Sequence, residues 1–294
     1  MNAVTTDALW MPFTANRDFK KEPRVICSAQ GHHYTTTDGR RLYDTFSGLW
    51  TSGVGHCHPK IVAAVQKQVA QLDYSMTFQS GNDKSFALAE RVTDMAPEGF
   101  NHCFFTNSGS ESVDTALKIA LGYHRARGEG NRTRLIGRER GYHGVNFGGM
   151  SVGGMVPNRK VFSPMLLPGV DHMRSTMNLE HTAFSRGQPE WGAHLADELE
   201  NIVALHDAST IAAVIVEPLV QCAGHVRMYD PVYLRRLREA CDRHGVHLIA
   251  DEIVPPADVV VTRSVRGAVR AADEGALRPL PKDAVPDSVP SSLR

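Results

Sequence analysis

The sequence predicts an α/β fold, a mostly parallel sheet flanked by helices. Three observations lead there. From about residue 83 onward, short apolar runs alternate with stretches whose apolar residues recur at helical spacing. The run Ile211 to Val216 is continuously apolar, as in a strand buried on both faces. Four polar features, Ser108-Gly109-Ser110, Tyr142, Glu217 and Asp251, each follow such a run, and ligands of parallel sheets bind at the carboxyl ends of strands.

The first stretch of the chain reads differently. Residues 1 to about 24 suggest an irregular or partly helical arm carrying Trp10, Phe13 and Phe19. Val25-Ile26-Cys27, His33-Tyr34-Thr35 and Arg41-Leu42-Tyr43 are β-prone runs, punctuated by Gln30-Gly31 and Thr37-Asp38-Gly39, and predict a small meander. A Gly-rich loop from Ser47 to His56 holds Trp50. Pro59 suits a first helical position, with Ile61, Val62, Val65, Val69 and Leu72 along one face of the helix after it. The expected division is an arm and meander over 1–72, a large domain over 73–253, and a divergent, disordered tail over 254–294.

Within the large domain, Phe86, Leu88, Val92 and Met95 predict a helix, and Cys103-Phe104-Phe105 a buried strand. Thr106-Asn107-Ser108-Gly109-Ser110-Glu111 then turns the chain into a helix lined by Val113, Ala116, Leu117, Ala120 and Leu121. Ser108 and Glu111 fit a capping box. Free backbone N–H groups, hydroxyls and the helix dipole make this turn a seat for phosphate, although an ordinary cap without a ligand has the same pattern. Arg134-Leu135-Ile136-Gly137 reads as a strand leading to Gly141-Tyr142-His143-Gly144, in which His143 reads as a structural residue bonded near the turn. The region from Gly148 to Gln188 gives little periodic signal and is expected to wrap the surface or line a site. Leu195, Leu199 and Ile202 mark a helix. Asp230 and Pro231 open another, Gly245 closes it, and Val246 to Ile249 begins a strand ending in Asp251-Glu252.

Bulk properties narrow the function classes. Lys+Arg and Asp+Glu both number 32, so nothing argues for nucleic acid or an acidic membrane as partner. No apolar run is long enough to span a bilayer, and Met1 to Trp10 lacks the pattern of a signal peptide. The 5 cysteines are scattered, with no Cys-x-x-Cys pair, which favours a reducing, cytoplasmic setting. His56-Cys57-His58 is not expected to bind metal, because adjacent residues rarely converge on one ion. A nucleotide-binding doubly wound protein needs a Gly-x-Gly-x-x-Gly or Walker loop, and neither occurs.

A phosphate seat, an aromatic ring and a strand-end carboxylate together suit a phosphorylated, flat, nitrogen-containing cofactor. Pyridoxal 5'-phosphate fits, with its ring nitrogen kept protonated by the carboxylate so that the ring accepts electrons. Taken singly, a strand-end carboxylate such as Asp251 is more often a helix cap or ion-pair partner, and Tyr142 and Trp50 could be core aromatics.

Longer motifs carry a resemblance. Leu9-Trp10-Met11-Pro12-Phe13-Thr14, Ser47-Gly48-Leu49-Trp50, Phe105-Thr106-Asn107-Ser108-Gly109-Ser110-Glu111, Asp114-Thr115-Ala116-Leu117-Lys118, Gly141-Tyr142-His143-Gly144, Val216-Glu217-Pro218 and Asp251-Glu252-Ile253 make the chain similar to one enzyme family. It resembles the class III aminotransferases of the fold-type I pyridoxal phosphate enzymes, most closely the omega-amino acid (beta-alanine):pyruvate group. The resemblance implies a pyridoxal phosphate-binding large domain, transfer of an amino group from an omega-amino acid or amine to pyruvate, and a homodimer. It implies that Ser108, Gly109 and Ser110 hold the cofactor phosphate and that Tyr142 stacks on the pyridine ring. Asp251 would pair with the ring nitrogen, Ile253 pack under the other face, Glu217 lend polar support, and Trp50 form a wall of the substrate pocket.

The resemblance stops at Ile253. The family continues with a Gly-Phe-Gly-Arg-like loop and a strand ending in the lysine that binds the cofactor covalently. This chain reads Val254-Pro255-Pro256-Ala257-Asp258, followed by a Pro-rich tail with a short helix expected near Val265 to Ala272. Lys282 is the only lysine beyond Asp251, and its Leu280-Pro281-Lys282-Asp283 setting lacks the family's motif. The expectation is a fold incomplete at its C-terminus, from a truncated or frameshifted reading frame, with the Schiff-base lysine absent and turnover lost. The alternative is a non-catalytic remnant able at most to bind pyridoxal phosphate or dimerise.

Overall fold

The structure, a computed structural model, describes residues 5–253 and the strand 259–262. The chain divides between Asp83 and Lys84 into two compact units. In the first, β1 (Ile26–Gln30), β2 (His33–Thr36) and β3 (Arg41–Tyr43) form the antiparallel meander that the turn residues predict. Helix α1 (Pro59–Gln71) follows, with Pro59 at its first position. Helix α2 (Asp83–Met95) opens the second unit.

The second unit is built on one sheet. Its strands are β4 (Arg134–Arg138), β5 (Val170–Met173), β6 (Ile211–Val216), β7 (His247–Glu252) and β8 (Val259–Thr262). They lie in the order β8-β7-β6-β4-β5. The first four in sequence run parallel, with Leu135 beside Val170, Ile136 beside Val214 and Val216 beside Ala250. β8 returns antiparallel to β7. The chain therefore steps outward from β4 to β5, then crosses back to β6 on the other side of β4. That reversal opens a crevice between the loops following β4 and β6, where open α/β sheets bind ligands.

Helices cover both faces, which explains the continuous apolar run in β6. Val214 and Val216 meet α6 (Pro231–His244) through Tyr233, Leu234 and Leu237. Ala213 and Ile215 meet α3 (Gly109–Ala126) through Val113, Ala116 and Leu117. The ends of α6 are set locally. Asp230 Oδ1 accepts from the Val232 N–H at 2.8 Å, and Gly245 takes the left-handed conformation at the exit.

Several expectations need correction. Cys103-Phe104-Phe105 is irregular, with Phe104 and Phe105 exposed. A strand needs a neighbour to take its backbone groups, and none among the described residues pairs with this run. Leu195 and Ile202 are not on one helix: a 3₁₀ turn (Ala193–Asp197) precedes α5 (Glu198–His206). The stretch from Gly148 to Gln188 contributes the edge strand β5, and the buried helix α4 (Phe147–Val152) overlaps its start. β8 falls in a stretch read as coil. The helix expected near Val265 to Ala272 lies outside the described residues. Among those residues, no helix is long and apolar enough to cross a membrane.

Candidate active site

The start of α3 is the first component. Ser108 is the N-cap, and its Oγ accepts from the Glu111 N–H at 3.2 Å. The Glu111 carboxylate reaches back to the Asn107 amide at 2.8 Å rather than to that of Ser108, a capping box displaced by one residue. The cap occupies the Glu111 N–H. Those of Gly109 and Ser110 stand at the positive end of the helix, outside its internal ladder. Ser110 Oγ accepts from the Val145 N–H at 3.0 Å and keeps its own proton to donate.

The turn after β4 packs directly on this helix start. Gly144 has φ +87°, and a Cβ there would lie 2.4 Å from Ser110 Oγ, so only glycine allows the approach. On the other side, a Cβ on Gly109 would lie 2.6 Å from Ile253 Cδ1. The end of β7 therefore abuts the start of α3. Of the four features expected at strand ends, Tyr142, Glu217 and Asp251 follow or end β4, β6 and β7. Ser108-Gly109-Ser110 reaches the same edge without a strand before it.

A network of buried polar groups lies beneath the crevice. Asp251 is 3% exposed and its Oδ2 lies 2.8 Å from Nδ1 of His143, itself 1% exposed. His143 Nε2 has no hydrogen-bond partner among the described residues. Glu217 Oε2 accepts from the Tyr142 N–H at 3.1 Å and Oε1 from the Cys222 N–H at 3.0 Å. Burial pushes the Glu217 carboxyl up, opposed by His143, the Tyr142 amide and Arg138 and reinforced by the charge of Asp251. Burial raises the Tyr142 phenol first, and the charge of Asp251 adds to it, which puts phenol and carboxylate in one neighbourhood.

Trp50 belongs to the first unit. Ser47, Gly48, Leu49 and Trp50 all have positive φ, a tight turn clasped by Asp44. Asp44 accepts from the Gly48 N–H at 2.7 Å and pairs with His56 Nε2 at 2.8 Å, so His56 has a carboxylate partner within its own loop. Against the penalty of burial, the His56 and amide hydrogen bonds hold the Asp44 carboxyl down at about 2. Lys282 lies outside the described residues.

The donor set fits a phosphorylated pyridine: amides and a hydroxyl at one end, a buried carboxylate at the other, and a tyrosine and an isoleucine at the same edge. His143 has a larger part than its reading as a residue bonded near the turn, since its partner is the carboxylate of Asp251. Adjacency to Tyr142 was the only signal in the sequence. Arg138, which ends β4 beneath the turn, gave none.

Comparison with known proteins gives the family. Residues 14–255 match the family model Aminotransferase class-III, and the chain belongs to that family. It is 57% identical over 248 residues to the omega-aminotransferase of Caulobacter vibrioides, covering 84% of this chain and 56% of that protein. It is 50% identical to the omega-amino acid--pyruvate aminotransferase of Pseudomonas putida, over 84% of this chain and 55% of that one. An amine transaminase from an uncultivated Pseudomonas species, solved in a pyridoxal phosphate-bound form, superposes with TM-score 0.77 at 38% identity, over 85% of this chain and 56% of that one. The chain thus spans about half the length of the curated relatives it matches.

Proposed function

We propose that this chain is the cofactor-binding portion of an aminotransferase that uses pyridoxal 5'-phosphate to move an amino group from an omega-amino acid or amine to pyruvate. The observation that carries the reading is the abutment of Gly109 on Ile253, with Asp251 two residues before it in β7. One small heterocycle can then meet the helix start and the buried carboxylate together.

In this reading the Gly109 and Ser110 amides and the Ser110 hydroxyl bind the phosphate dianion, helped by the α3 dipole and the Ser108 cap. When bound, the cofactor supplies an electron-accepting ring. Asp251 holds a proton on the ring nitrogen, and His143 fixes the rotamer of that carboxylate through Nδ1. Tyr142 and Ile253 flank the ring and exclude water. Glu217 holds the Tyr142 amide and so the turn. Trp50 forms a wall of the substrate pocket, and the working unit is a homodimer. Residues 254–294 offer only Lys282 as an amine beyond Asp251, so the chain as written binds the cofactor without turnover.

Titrating the purified chain with pyridoxal phosphate, read by cofactor absorbance and tryptophan quenching, tests this. Saturable binding is expected, weakened by Ser110→Ala and by Asp251→Asn. Absence of binding, or indifference to both substitutions, would overturn the reading. Formation of alanine from beta-alanine and pyruvate would overturn the inactivity.

A further inference from the structure

Arg138 ends β4 and is completely buried. A guanidinium in that position ordinarily gathers several acceptors or a bidentate carboxylate. Here Nη2 lies 3.4 Å from the Glu217 carbonyl oxygen, while Nε and Nη1 have no hydrogen-bond partner among the described residues. The cation is instead packed on aromatic rings. Its Cζ lies 4.2 Å from the Tyr229 centroid and 5.1 Å from that of Tyr233, and the two rings meet edge to face at 5.5 Å. Ring faces attract a cation but leave its charge uncompensated.

The carboxylate whose charge acts on it belongs to Glu217, the residue whose carbonyl it also touches and where the network converges. The Glu217 carbonyl accepts from Tyr229 Oη at 2.6 Å as well as from Arg138. Its carboxylate oxygens take the Tyr142 and Cys222 amides. A Cβ on Gly141 would lie 3.2 Å from His143 Nε2 and 3.8 Å from Glu217 Oε2, so imidazole and carboxylate border one spot. Burial alone would favour a neutral Glu217, and a protonated acid binds amide donors less well than a carboxylate.

We propose that Arg138 is a positioning residue of the cofactor crevice. Packed against the Tyr229 and Tyr233 rings, its guanidinium supplies the fixed charge that keeps the Glu217 carboxylate seated on the Tyr142 amide, and so sets the turn that carries His143 to Asp251. The link to the cofactor rests on the reading under Proposed function, whereas the coupling between Arg138 and Glu217 does not. Arginine suits the place because it keeps its charge when desolvated and its plane stacks on rings, as a lysine ammonium does not. The titratable groups facing Arg138 are Tyr229, Tyr233 on α6, and Glu217 after β6. Those facing Glu217 are His143, Asp251, Cys222 and Arg138 itself.

The test uses the full chain without added cofactor, its glutamate side-chain carboxyls labelled with carbon-13 and the Glu217 signal assigned by its loss in Glu217→Gln. Arg138→Met is expected to raise the Glu217 titration midpoint by about one pH unit or more, and Arg138→Lys by less. Pyridoxal phosphate affinity at neutral pH should fall about tenfold in Arg138→Met and recover partly in Arg138→Lys. An unmoved Glu217 midpoint in a folded Arg138→Met chain overturns the proposal. Should that variant not fold, a Glu217 midpoint and a cofactor affinity both unchanged in Arg138→Lys overturn it instead. If the unaltered chain binds no cofactor while the Glu217 midpoint still moves, the reading of the crevice falls and the charge coupling is upheld.

Discussion

Helices α1 and α6 start alike and end in different surroundings. Both have proline in the first turn and an apolar stripe at helical spacing. On α6 the stripe of Tyr233, Leu234, Leu237 and Cys241 is at most 2% exposed, packed on the face of β6 and β7. On α1, Val65 is 60% and Val69 57% exposed. α6 also has a side-chain cap at Asp230, whereas His58 makes no cap bond for α1. Periodicity belongs to a single helix and is legible in its sequence, while burial belongs to a pair of surfaces and depends on what the rest of the chain brings to it.

The largest expected effect lies on the covered stripe. Leu237→Ala removes a side chain with 0% exposure from the α6 face and should cost about 2–5 kcal/mol in urea unfolding followed by circular dichroism. A cost within about 0.5 kcal/mol, the range of ordinary surface positions, would mean that α6 is no better seated than α1 and would erase the contrast between them.

Acid should separate the two units by pH window. His247 opens β7, with its ring 4.6 Å from His124 and 4.5 Å from Tyr123. Burial, followed by the charges of His124, Arg238 and Arg132, pushes it down to about 4. The unfolded chain takes up this proton near pH 6.5, so the neutral ring stabilises the fold fully above that pH. The contribution is lost as pH falls toward 4. The Asp44 clasp in the first unit, held at about 2, keeps its contribution above about pH 4 and loses it as pH falls toward 2. Hydrogen exchange resolved by segment should show β7 loosening first and the loop from Asp44 to His56 later, and His247→Asn should flatten the earlier window alone. Simultaneous loosening of both would sink the assignment.

The same contrast marks how much was legible. The cap of α3, both ends of α6, the meander and the apolar strand β6 follow from residues within a few positions of one another, and sequence reasoning found them. The crevice between β4 and β6 follows from strand order, which no local pattern encodes. The His143–Asp251 pair joins residues 108 apart, so no spacing could announce it. β5 went unseen because Asp171 and His172 interrupt its apolar run at the sheet edge, and β8 because Pro255 and Pro256 stand shortly before its β-branched residues. Cys103-Phe104-Phe105 shows the converse, a strand-like composition without a neighbouring strand to realise it.

A cap is intermediate in size. Ser108→Ala removes the oxygen that accepts from the Glu111 N–H and should cost about 1 kcal/mol, against a few tenths for Ser108→Gly. It should also weaken pyridoxal phosphate binding, because the first turn of α3 then frays where the phosphate is to sit. Loss of stability with cofactor affinity unchanged would separate the cap from the phosphate seat.

The smallest effect belongs to the exposed stripe, and it tests the comparison most directly. Val65→Ala on α1 removes two methyl groups from a side chain already 60% in water, so dilute-solution stability should change by no more than about 0.5 kcal/mol. Val65→Lys places a charge where solvent already reaches and should be tolerated equally well. Unfolding measured over a range of protein concentrations gives the decisive reading. If Val65→Lys costs more than about 1 kcal/mol and the cost grows with concentration, the stripe is covered in solution by a second copy, because a ligand that binds only the folded state adds stability by mass action. A concentration-independent cost of that size would instead show α1 covered from within its own chain, and the contrast with α6 would disappear.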